Sequence, residues 1–283
     1  MKPRAIIFGD PDKKNAAEAV KYFRGFSSDR VDIVFDSFGG SSIDGLLPDA
    51  DIAFTFGGDG TLLSAASHLS SLGIPVVGVN AGRLGFLAEF SIEEIETFFD
   101  DVLEKKLPIE KRMLLRCKVY SKGLEKFNRL AVNEVAVMAG KPFRMIELLI
   151  EVEGEFLADP RSDGLIISTP TGSTAYNLSA GGPILSSALE AMVITPVSCQ
   201  SLSFRPVVIP PDYRVCILPM KINRGTWVTL DGQASCSIKK HDCIEVTRAK
   251  STFNVVSNPM RTYWNTLSDK LHWAKKPRYS ETT

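Results

Sequence analysis

A chain of 283 residues with 44% hydrophobic and 23% charged residues carries enough apolar side chains for one large domain or two ordinary ones. Its 33 basic and 33 acidic side chains cancel to a formal net charge of zero, so the chain lacks the overall positive field that holds a nucleic-acid backbone or an anionic membrane. We therefore expect neither a nucleic-acid nor a membrane partner. A polyanionic ligand would have to be held locally, by backbone N–H groups and a few placed cations.

Targeting and metal-binding signals are weak. The N-terminal apolar run at 5–8 is too short for a signal peptide, and no stretch is long enough to cross a bilayer. The five cysteines are scattered without a CxxC pair, and the three histidines lie far apart, so no metal ligands are predicted. These features are typical of reduced thiols, and we expect a cytoplasmic protein.

The first hundred residues alternate strand-like apolar runs with helical patterns. Strands are predicted at 5–8, 31–35, 52–56 and 76–79, and helices at 14–24, 62–72 and 91–105. The last helix begins with a capping-box pattern, Ser91 followed by Glu94. This alternation predicts a Rossmann-like parallel α/β domain, which binds ligands at the carboxyl ends of its strands.

The pattern changes after residue 107 to short runs that alternate apolar and polar residues. These runs lie at 114–120, 130–138, 146–152, 165–168, 207–209, 215–218, 227–230, 243–246 and 253–256. They predict a mainly antiparallel β domain, and a helical pattern at 258–273 predicts a C-terminal helix that packs back on the first domain. The predicted domains are therefore 1–107 with about 258–283, and 108–257.

A glycine-rich turn with an acidic residue follows the third predicted strand and precedes a helix. Its residues are Gly57, Gly58, Asp59, Gly60 and Thr61. Glycines let the backbone approach a phosphate, and the start of the next helix offers unpaired N–H groups. A carboxylate in such a turn would repel phosphate unless it had a task, so Asp59 is predicted either to accept a proton from an attacking hydroxyl or to hold a divalent metal.

Two further patterns lie in the β-rich part. The run 169–176 follows an apolar strand with four hydroxyl side chains, a glycine and a tyrosine, which favours a ligand-binding loop. Its alternative is a plain helix N-cap at Thr171 or Ser173. Asn133 and Glu134 are adjacent inside the predicted strand 130–138, where neighbouring side chains point to opposite faces.

Together these patterns closely resemble the NAD kinase family, which is recognised by a GGDGT turn, an Asn-Glu or Asn-Asp pair and a TPTGSTAY-like loop. Here they are 57–61, 133–134 and 169–176, in that order. The resemblance covers about residues 50–235 and includes the stretches 80–87 and 162–165. GGDGT alone is shared with diacylglycerol-type lipid kinases, whereas the TPTGSTAY loop is specific to NAD kinases.

The resemblance implies a kinase that transfers the terminal phosphoryl group of ATP or polyphosphate to the 2′-hydroxyl of the adenosine ribose of NAD, giving NADP. Asp59 would be the catalytic base, and Gly57, Gly58, Gly60 and Thr61 would form the loop for the donor phosphates. The residues implied to bind the dinucleotide are Phe86, Asn133, Glu134, Asp163, Thr171, Thr174, Ala175, Tyr176, Ser179 and Asp231. Mg²⁺ or another divalent cation would accompany the donor, and a homodimer or homotetramer is expected.

Several alternatives stay open at this point. Asp231, followed by Gly232, is by itself a typical hairpin turn, although the family often carries Asp-Gly near the dinucleotide. Some relatives have a second aromatic residue where this chain has Leu87. A diacylglycerol-type lipid kinase and a non-catalytic dinucleotide sensor are the alternative functions. A dinucleotide-dependent oxidoreductase is disfavoured because no GxGxxG turn follows the first strand.

Overall fold

The computed structural model describes residues 1–41, 47–82 and 85–272. Residues 83–84 of the predicted stretch 80–87, residue 273 of the predicted C-terminal helix and residues 274–283 of the predicted first domain fall outside these ranges. The chain divides into two compact units. The first comprises Met1–Leu62, Pro75–Glu110 and Val255–Thr283, and the second comprises Leu63–Ile74 and Lys111–Asn254.

The described residues contain six α helices and seventeen strands. The helices are α1 (Lys14–Ser27), α2 (Asp59–Leu69), α3 (Ile92–Thr97), α4 (Phe99–Leu103), α5 (Tyr176–Ser179) and α6 (Tyr263–Leu271). The first nine strands are β1 (Arg4–Gly9), β2 (Asp32–Asp36), β3 (Ile52–Gly57), β4 (Pro75–Asn80), β5 (Ile109–Ser121), β6 (Leu124–Ala131), β7 (Glu134–Met138), β8 (Ile146–Val152) and β9 (Glu155–Ala158). The others are β10 (Arg161–Ser162), β11 (Gly164–Ser168), β12 (Met192–Val197), β13 (Val207–Ile209), β14 (Val215–Lys221), β15 (Trp227–Leu230), β16 (Ala234–Ser237) and β17 (Cys243–Val256).

Four parallel strands in the order β2-β1-β3-β4 form the sheet of the first unit. The predicted parallel α/β arrangement is therefore confirmed. The chain passes from β1 to β2 on one side and then to β3 on the other side, so the direction of winding changes between β1 and β3. In such sheets, ligands bind beyond the carboxyl ends of the strands at this switch point.

Aromatic packing holds α1 against this sheet. Phe23 of α1 is fully buried, and its ring centroid lies 4.7 Å from that of Phe54, 5.2 Å from that of Phe56 and 5.7 Å from that of Phe99. Rings at these separations contribute beyond the apolar area that they bury. The cluster fixes α1 over β3, and thereby places the start of the helix near the carboxyl ends of the strands.

The predicted helix 91–105 is two helices. The capping box is present, since Ser91 Oγ accepts from the Glu94 N–H at 3.2 Å and Glu94 Oε2 accepts from the Ser91 N–H at 2.8 Å. The helix breaks at Phe98, whose φ of −96° and ψ of 11° lie outside the α-helical region. The apolar pattern of the sequence continues through Phe98, so the break between the two helices could not be predicted from that pattern.

The C-terminal helix belongs to the first unit, as predicted, but begins later than predicted. Thr262 caps α6 by accepting from the Asn265 N–H at 3.2 Å. Just before it, Asn258 donates to Glu94 Oε2 at 3.1 Å and Arg261 pairs with Glu94 Oε1 at 2.7 Å. These contacts tie the C-terminal segment to α3.

The second unit is mainly antiparallel, as predicted. One sheet has the order β13-β12-β11-β7-β15-β16. In the other sheet β8 lies between β10 and β14, β14 pairs with β17, and β5 pairs with β6. Buried apolar side chains from both sheets, such as Val135 and Ile167 of the first and Leu148 and Ile217 of the second, form one core.

The predicted strand 130–138 is wrong in one respect. β6 ends at Ala131 and β7 begins at Glu134, so Val132 and Asn133 lie between two strands. The backbone N–H groups of residues 132–134 donate to the side chain of Asp231, 97–99 residues further along the chain. A side chain so distant in sequence leaves no mark on the local alternation of apolar and polar residues.

Candidate active site

The glycine-rich turn lies at the carboxyl end of β3, in the first unit. Gly57 has a φ of 155°, and a Cβ there would meet Thr61 Oγ1 at 2.1 Å, so this position needs glycine. The Gly58 carbonyl accepts from the Thr61 N–H at 2.9 Å, which begins α2. At Gly58 and Gly60 a Cβ would have no neighbour within 4 Å, so the backbone of the turn is open to a ligand.

Asp59, the first residue of α2, is held by three consecutive backbone N–H groups. Its Oδ1 accepts from Leu87 at 3.0 Å and Ala88 at 3.0 Å, and its Oδ2 accepts from Phe86 at 2.8 Å. A carboxylate has about four acceptor positions, two on each oxygen. Oδ1 is therefore fully used, while Oδ2 keeps one position for a proton donor.

Gly85 is a site residue that the sequence analysis did not single out. A Cβ at this position would lie 1.8 Å from Asp59 Oδ1, so any other residue would push the carboxylate aside. A glycine directly before Phe86, a predicted ligand contact, is the signal that would have found it, because such glycines mark close backbone approach.

Phe86 and Leu87 differ in exposure. Phe86 is half-buried, so part of its ring remains available to a ligand, whereas Leu87 is buried in the core of the unit at 3% exposure. Leu87 is thus a core side chain and does not offer a second stacking surface beside Phe86.

In the second unit, Asp231 holds the Asn-Glu pair. Its Oδ2 accepts from the Val132 N–H at 2.7 Å, and its Oδ1 accepts from Asn133 at 2.8 Å and Glu134 at 3.0 Å. Asp231 and Gly232 have φ values of 52° and 66° in the turn between β15 and β16, so the residue is part of a hairpin turn, as its alternative interpretation holds. The turn places its carboxylate under the backbone of residues 132–134.

Asp231 also borders a cavity of about 500 Å³ within the second unit. Arg116 and Gln233 lie in the wall of this cavity. Arg116 donates to Asn128 Oδ1 at 2.8 Å, which fixes the guanidinium in place. Asp231 thus holds the backbone of residues 132–134 and also borders a cavity that a ligand could enter.

The hydroxyl-rich loop packs directly on Asn133. Thr169 donates from its Oγ1 to the Val132 carbonyl at 2.6 Å and from its N–H to the Asn133 carbonyl at 2.9 Å. A Cβ at Gly172 would lie 2.1 Å from the Asn133 carbonyl oxygen, so the two segments touch through backbone atoms. Thr169 belongs to the loop that the sequence predicts, but it is not among the residues implied to bind the dinucleotide.

The loop forms a short 3₁₀ turn, Thr171–Thr174, followed by α5. Pro170 and Ala175 occupy the two N-cap positions and neither provides a side-chain cap, so the helix-cap interpretation of Thr171 or Ser173 is wrong. Ser173 is buried and bonds to the Pro170 carbonyl and the Leu185 N–H. Among the predicted contacts, Tyr176 and Ser179 are exposed, and the others in the loop are half-buried: Thr171, Thr174 and Ala175.

Glu134 is a carboxyl group whose ionisation is strongly perturbed by its surroundings. It is 8% exposed, and its Oε2 has no hydrogen-bond partner among the described residues. Burial and then the charge of Asp231 raise the pKa of Glu134 to about 8, against the opposing effect of the Tyr176 N–H. The carboxyl group is therefore mostly protonated at neutral pH and can donate as well as accept a hydrogen bond.

Asp163 lies in the same electrostatic environment. Burial first, then the charges of Glu134 and Asp163, raise the pKa of the Tyr176 hydroxyl. The second unit therefore brings together the Asn-Glu pair, the hydroxyl-rich loop, Asp163 and Asp231. The first unit brings together the glycine-rich turn, Asp59 and Phe86.

The described residues contain neither a cluster of metal-ligating side chains nor a membrane-spanning helix. Within residues 1–41, 47–82 and 85–272, no group of three or more His, Cys, Asp or Glu side chains is arranged to hold a metal ion. Over the same ranges, no helix is both long and apolar enough to span a membrane.

Two family models match the chain. The ATP-NAD kinase N-terminal domain matches residues 46–107, and the ATP-NAD kinase C-terminal domain matches residues 132–258. Among curated proteins, the NAD kinase of Ralstonia nicotianae is 42% identical over 228 residues, covering 81% of this chain and 75% of that protein. The NAD kinase of Rhodopirellula baltica is 34% identical over 272 residues, covering 96% of this chain and 87% of that protein.

Solved structures give the same picture. A yeast NADH kinase, crystallised in complex with NADH, superposes with a TM-score of 0.87 at 26% identity, covering 99% of this chain and 90% of that chain. An NAD kinase from Archaeoglobus fulgidus in complex with ATP gives a TM-score of 0.76 at 25% identity, covering 95% of this chain and 98% of that chain. The likeness thus extends over nearly the whole chain rather than over one motif.

Proposed function

The chain belongs to the NAD kinase family, as its motifs predict, and from that premise we propose how its own residues carry the reaction. The enzyme transfers the terminal phosphoryl group of ATP to the 2′-hydroxyl of the adenosine ribose of NAD and gives NADP. Family membership decides against the diacylglycerol-type lipid kinase. Little covalent chemistry is required of the protein, so its task is to align the two substrates and to stabilise developing charge.

Asp59 is the proposed catalytic base. The observation that supports this role is the fixed carboxylate with one free acceptor position on Oδ2, next to the open backbone of the glycine-rich turn. A ribose hydroxyl is a poor nucleophile at neutral pH, and a carboxylate that accepts its proton as the new bond forms lowers the barrier. Because three N–H groups fix the orientation of the side chain, little reorganisation is needed during the reaction.

The glycine-rich turn is proposed to receive the donor phosphates, through Gly57, Gly58, Gly60 and Thr61. α2 begins at Asp59, and the first N–H groups of a helix have no acceptor within the helix. These groups and the positive end of the helix dipole attract phosphate oxygens. The open positions at Gly58 and Gly60 let a phosphate approach the backbone.

The dinucleotide is proposed to contact the polar residues of the second unit, together with Phe86 of the first. Carboxyl, amide and hydroxyl groups suit the ribose hydroxyls and the adenine edge, and a partly exposed aromatic ring suits a base. The proposed contacts in the second unit are Asn133, Glu134, Asp163, Thr171, Thr174, Ala175, Tyr176, Ser179 and Asp231. Glu134 Oε2, which lacks a partner among the described residues, is the atom in this group with the strongest need for one.

Mg²⁺ is proposed to enter with the donor. This ion keeps several waters and binds through one or two carboxylates plus substrate phosphates rather than in a cage of protein ligands. Because the one free position of Asp59 is assigned to the proton of the attacking hydroxyl, the ion would be held by the donor phosphates and water. In that place it would neutralise charge on the transferring phosphate. Polyphosphate as a second donor and a homo-oligomeric state are proposed on family resemblance alone, and a cytoplasmic location is proposed on the free cysteines.

The test is formation of NADP by the purified protein from NAD, ATP and Mg²⁺, followed with an NADP-specific dehydrogenase. Polyphosphate replaces ATP in a parallel reaction. We expect product from the wild-type protein and a fall in turnover of about 100-fold or more in Asp59→Asn, the usual scale for a general base. The matched control is Asp49→Asn, the same change at an exposed position, which should leave turnover unaltered.

The same experiment identifies a wrong assignment. Wild-type product together with near-wild-type turnover in Asp59→Asn would remove the catalytic role of Asp59. No product from either donor, with protein shown to be folded by thermal unfolding, would contradict the proposed reaction and favour the dinucleotide sensor.

A further inference from the structure

Two cysteine side chains lie beside each other in the second unit. Cys216 belongs to β14 and Cys243 is the first residue of β17, and their Sγ atoms are 3.1 Å apart although 27 residues separate them along the chain. Both are free thiols, and both are half-buried. The sulfur atoms are about 1 Å further apart than in a disulfide bond, so a small movement of the side chains would join them.

The pairing of β14 with β17 holds the two thiols on one face of the sheet. In this antiparallel pair Cys216 lies opposite Glu245, two residues after Cys243, so the two cysteines are diagonal neighbours. On the other face Ile217 lies opposite Ile244, and both isoleucines are fully buried in the core. The core therefore fixes the register that brings the cysteines together, while the thiols themselves remain on a partly exposed face.

Charged side chains of both signs surround the two thiols. Glu151 of β8 lies opposite Cys216, and Arg214, just before β14, has its Nη1 3.8 Å from Glu245 Oε2. The hydrogen bond between the thiols lowers the pKa of Cys243 to about 7 with help from Arg214, against burial and the charges of Glu245 and Glu151. The same hydrogen bond and burial raise the pKa of Cys216. Near neutral pH, Cys243 is thus partly a thiolate while Cys216 keeps its proton.

A thiolate next to a protonated thiol is the arrangement that undergoes reversible oxidation. The thiolate, not the thiol, is the nucleophile, and it attacks peroxide where solvent reaches it. The sulfenic acid that results condenses with a neighbouring thiol to give a disulfide, and this step protects it from irreversible oxidation to sulfinic acid. Cys216 and Cys243 meet both requirements, a reachable thiolate and a second thiol in contact with it.

We propose that Cys216 and Cys243 are an oxidation site, a dithiol that hydrogen peroxide converts reversibly into a disulfide. The Cys243 thiolate attacks one oxygen of the peroxide, the O–O bond breaks, and the departing hydroxide takes up a proton to become water. The Cys216 sulfur then attacks the sulfenic acid sulfur of Cys243, the S–O bond breaks, and the departing hydroxide takes the Cys216 proton to form a second water. Two electrons thus pass from the sulfur atoms to the peroxide, and a thiol reductant returns them.

The disulfide would enclose a segment that belongs to the candidate active site, although the proposed kinase reaction uses neither cysteine. The enclosed loop contains β15, β16 and the hairpin turn with Asp231, whose carboxylate holds the backbone of residues 132–134. A cross-link removes conformational freedom from the unfolded form of the segment that it encloses. Oxidation would therefore restrict local unfolding of the segment that positions the Asn-Glu pair.

The test is mass spectrometry of the wild-type protein after treatment with hydrogen peroxide at neutral pH. The reaction is stopped with acid, the remaining thiols are alkylated in urea, and the protein is digested with trypsin. Cleavage after Lys221 and Lys240 places Cys216, Cys236 and Cys243 in three different peptides. We expect one cross-linked pair of peptides, carrying Cys216 and Cys243, with the other three of the five cysteines alkylated. Dithiothreitol should then restore alkylation of all five.

Cys216→Ser tests the role of the second thiol. Serine keeps a hydrogen-bond donor beside Cys243 but has no sulfur to form the disulfide. Peroxide should therefore leave Cys243 as a sulfenic acid that dimedone traps, and excess peroxide should carry it on to sulfinic acid. The matched control is Cys199→Ser, the same change at another half-buried cysteine of the second unit. It should form the disulfide in the same yield as the wild-type protein.

Three results would overturn the oxidation site. Wild-type protein that keeps all five thiols after peroxide treatment, or whose disulfides join other cysteines, would contradict it. An equally high yield of the Cys216–Cys243 disulfide from protein unfolded in urea would do so as well, because the pairing would then not depend on the fold. None of these measurements requires NADP formation, so they test the oxidation site independently of the proposed kinase reaction.

Discussion

Asp59 in the first unit and Asp231 in the second are held by the same pattern of hydrogen bonds. Each accepts from three consecutive backbone N–H groups, at 86–88 and 132–134 respectively. In each, Oδ1 takes two of the bonds and Oδ2 takes one. Three such bonds stabilise the charged form of a carboxylate and fix its orientation.

The surroundings of the two carboxylates differ. Asp59 begins a helix beside glycines whose backbone is accessible to a ligand. Its three hydrogen bonds therefore fix the orientation of the free acceptor position on Oδ2. Asp231 sits in a hairpin turn beside the buried carboxyl of Glu134, and burial raises the pKa of Asp231 in spite of its three bonds. The same three hydrogen bonds thus orient the carboxylate of Asp59 in the first unit, and hold the backbone of residues 132–134 in the second. The hydrogen-bond pattern alone does not distinguish a catalytic base from a residue that positions a neighbouring segment.

The largest effect after that of Asp59→Asn is expected from Gly85→Ala, which disturbs the hydrogen bonds of Asp59 while leaving the aspartate itself in the sequence. The new Cβ would lie 1.8 Å from Asp59 Oδ1, so the side chain must turn away from its three N–H donors. A displacement of about 1 Å at a reacting group lowers turnover by about 100-fold. Steady-state turnover at saturating ATP and NAD measures it.

Gly25→Ala is the matched control for Gly85→Ala. It makes the same change within α1, where a Cβ would have no neighbour within 4 Å, and it should leave turnover at the wild-type value. Wild-type turnover in Gly85→Ala would mean that the orientation of Asp59 does not govern the reaction.

Asp231→Asn weakens the second motif. An asparagine can still accept from Asn133 and Glu134, but its amide group then faces the Val132 N–H, and the unpaired donors cost about 1–3 kcal/mol of unfolding free energy. Because the Asn-Glu pair loses its anchor, we expect the KM for NAD to rise about tenfold with little change in turnover. Urea unfolding and the two kinetic constants measure these effects.

Asp242→Asn is the control that separates the positioning role of Asp231 from a general loss of stability. Asp242 is a buried carboxylate of the same unit that binds Lys126 Nζ at 2.6 Å and the Lys239 N–H at 2.8 Å. Its variant should be destabilised by a similar amount with an unchanged KM for NAD. An equal rise in KM in both variants would show that Asp231 acts only through stability.

The sequence predicted what is local. The alternation of strands and helices, the capping box at Ser91 and the glycine-rich turn are each written in adjacent residues, and the four parallel strands and the start of α3 were found where predicted. The motifs also identified the family, because the TPTGSTAY loop is specific to it.

Contacts between distant residues were not predictable in the same way. The break between β6 and β7 depends on Asp231, and the orientation of Asp59 depends on the backbone at 86–88 and on Gly85. Asn80 is the same kind of case, since only the structure shows that its amide is buried and lacks an acceptor among the described residues. Composition and periodicity report burial and secondary structure, not which backbone group meets which side chain.

Glu134→Gln sharpens the comparison through pH, with the smallest effect expected. The pKa of Glu134 in the folded protein, about 8, lies above its ordinary value of 4.5, so the stabilising protonated form is lost as pH rises through that range. The groups that face it are Asp231 and Tyr176. The free energy of unfolding of the wild-type protein should therefore fall between pH 6 and pH 8 by up to about 1 kcal/mol per pH unit and level off above. Glutamine keeps the shape of the side chain and a hydrogen-bond donor but has no proton to lose, so this fall in unfolding free energy should be absent in the variant. Urea unfolding of both proteins at several pH values measures it. If the unfolding free energies of the two proteins changed in parallel with pH, Glu134 would already be ionised and Asp231 would not oppose its charge.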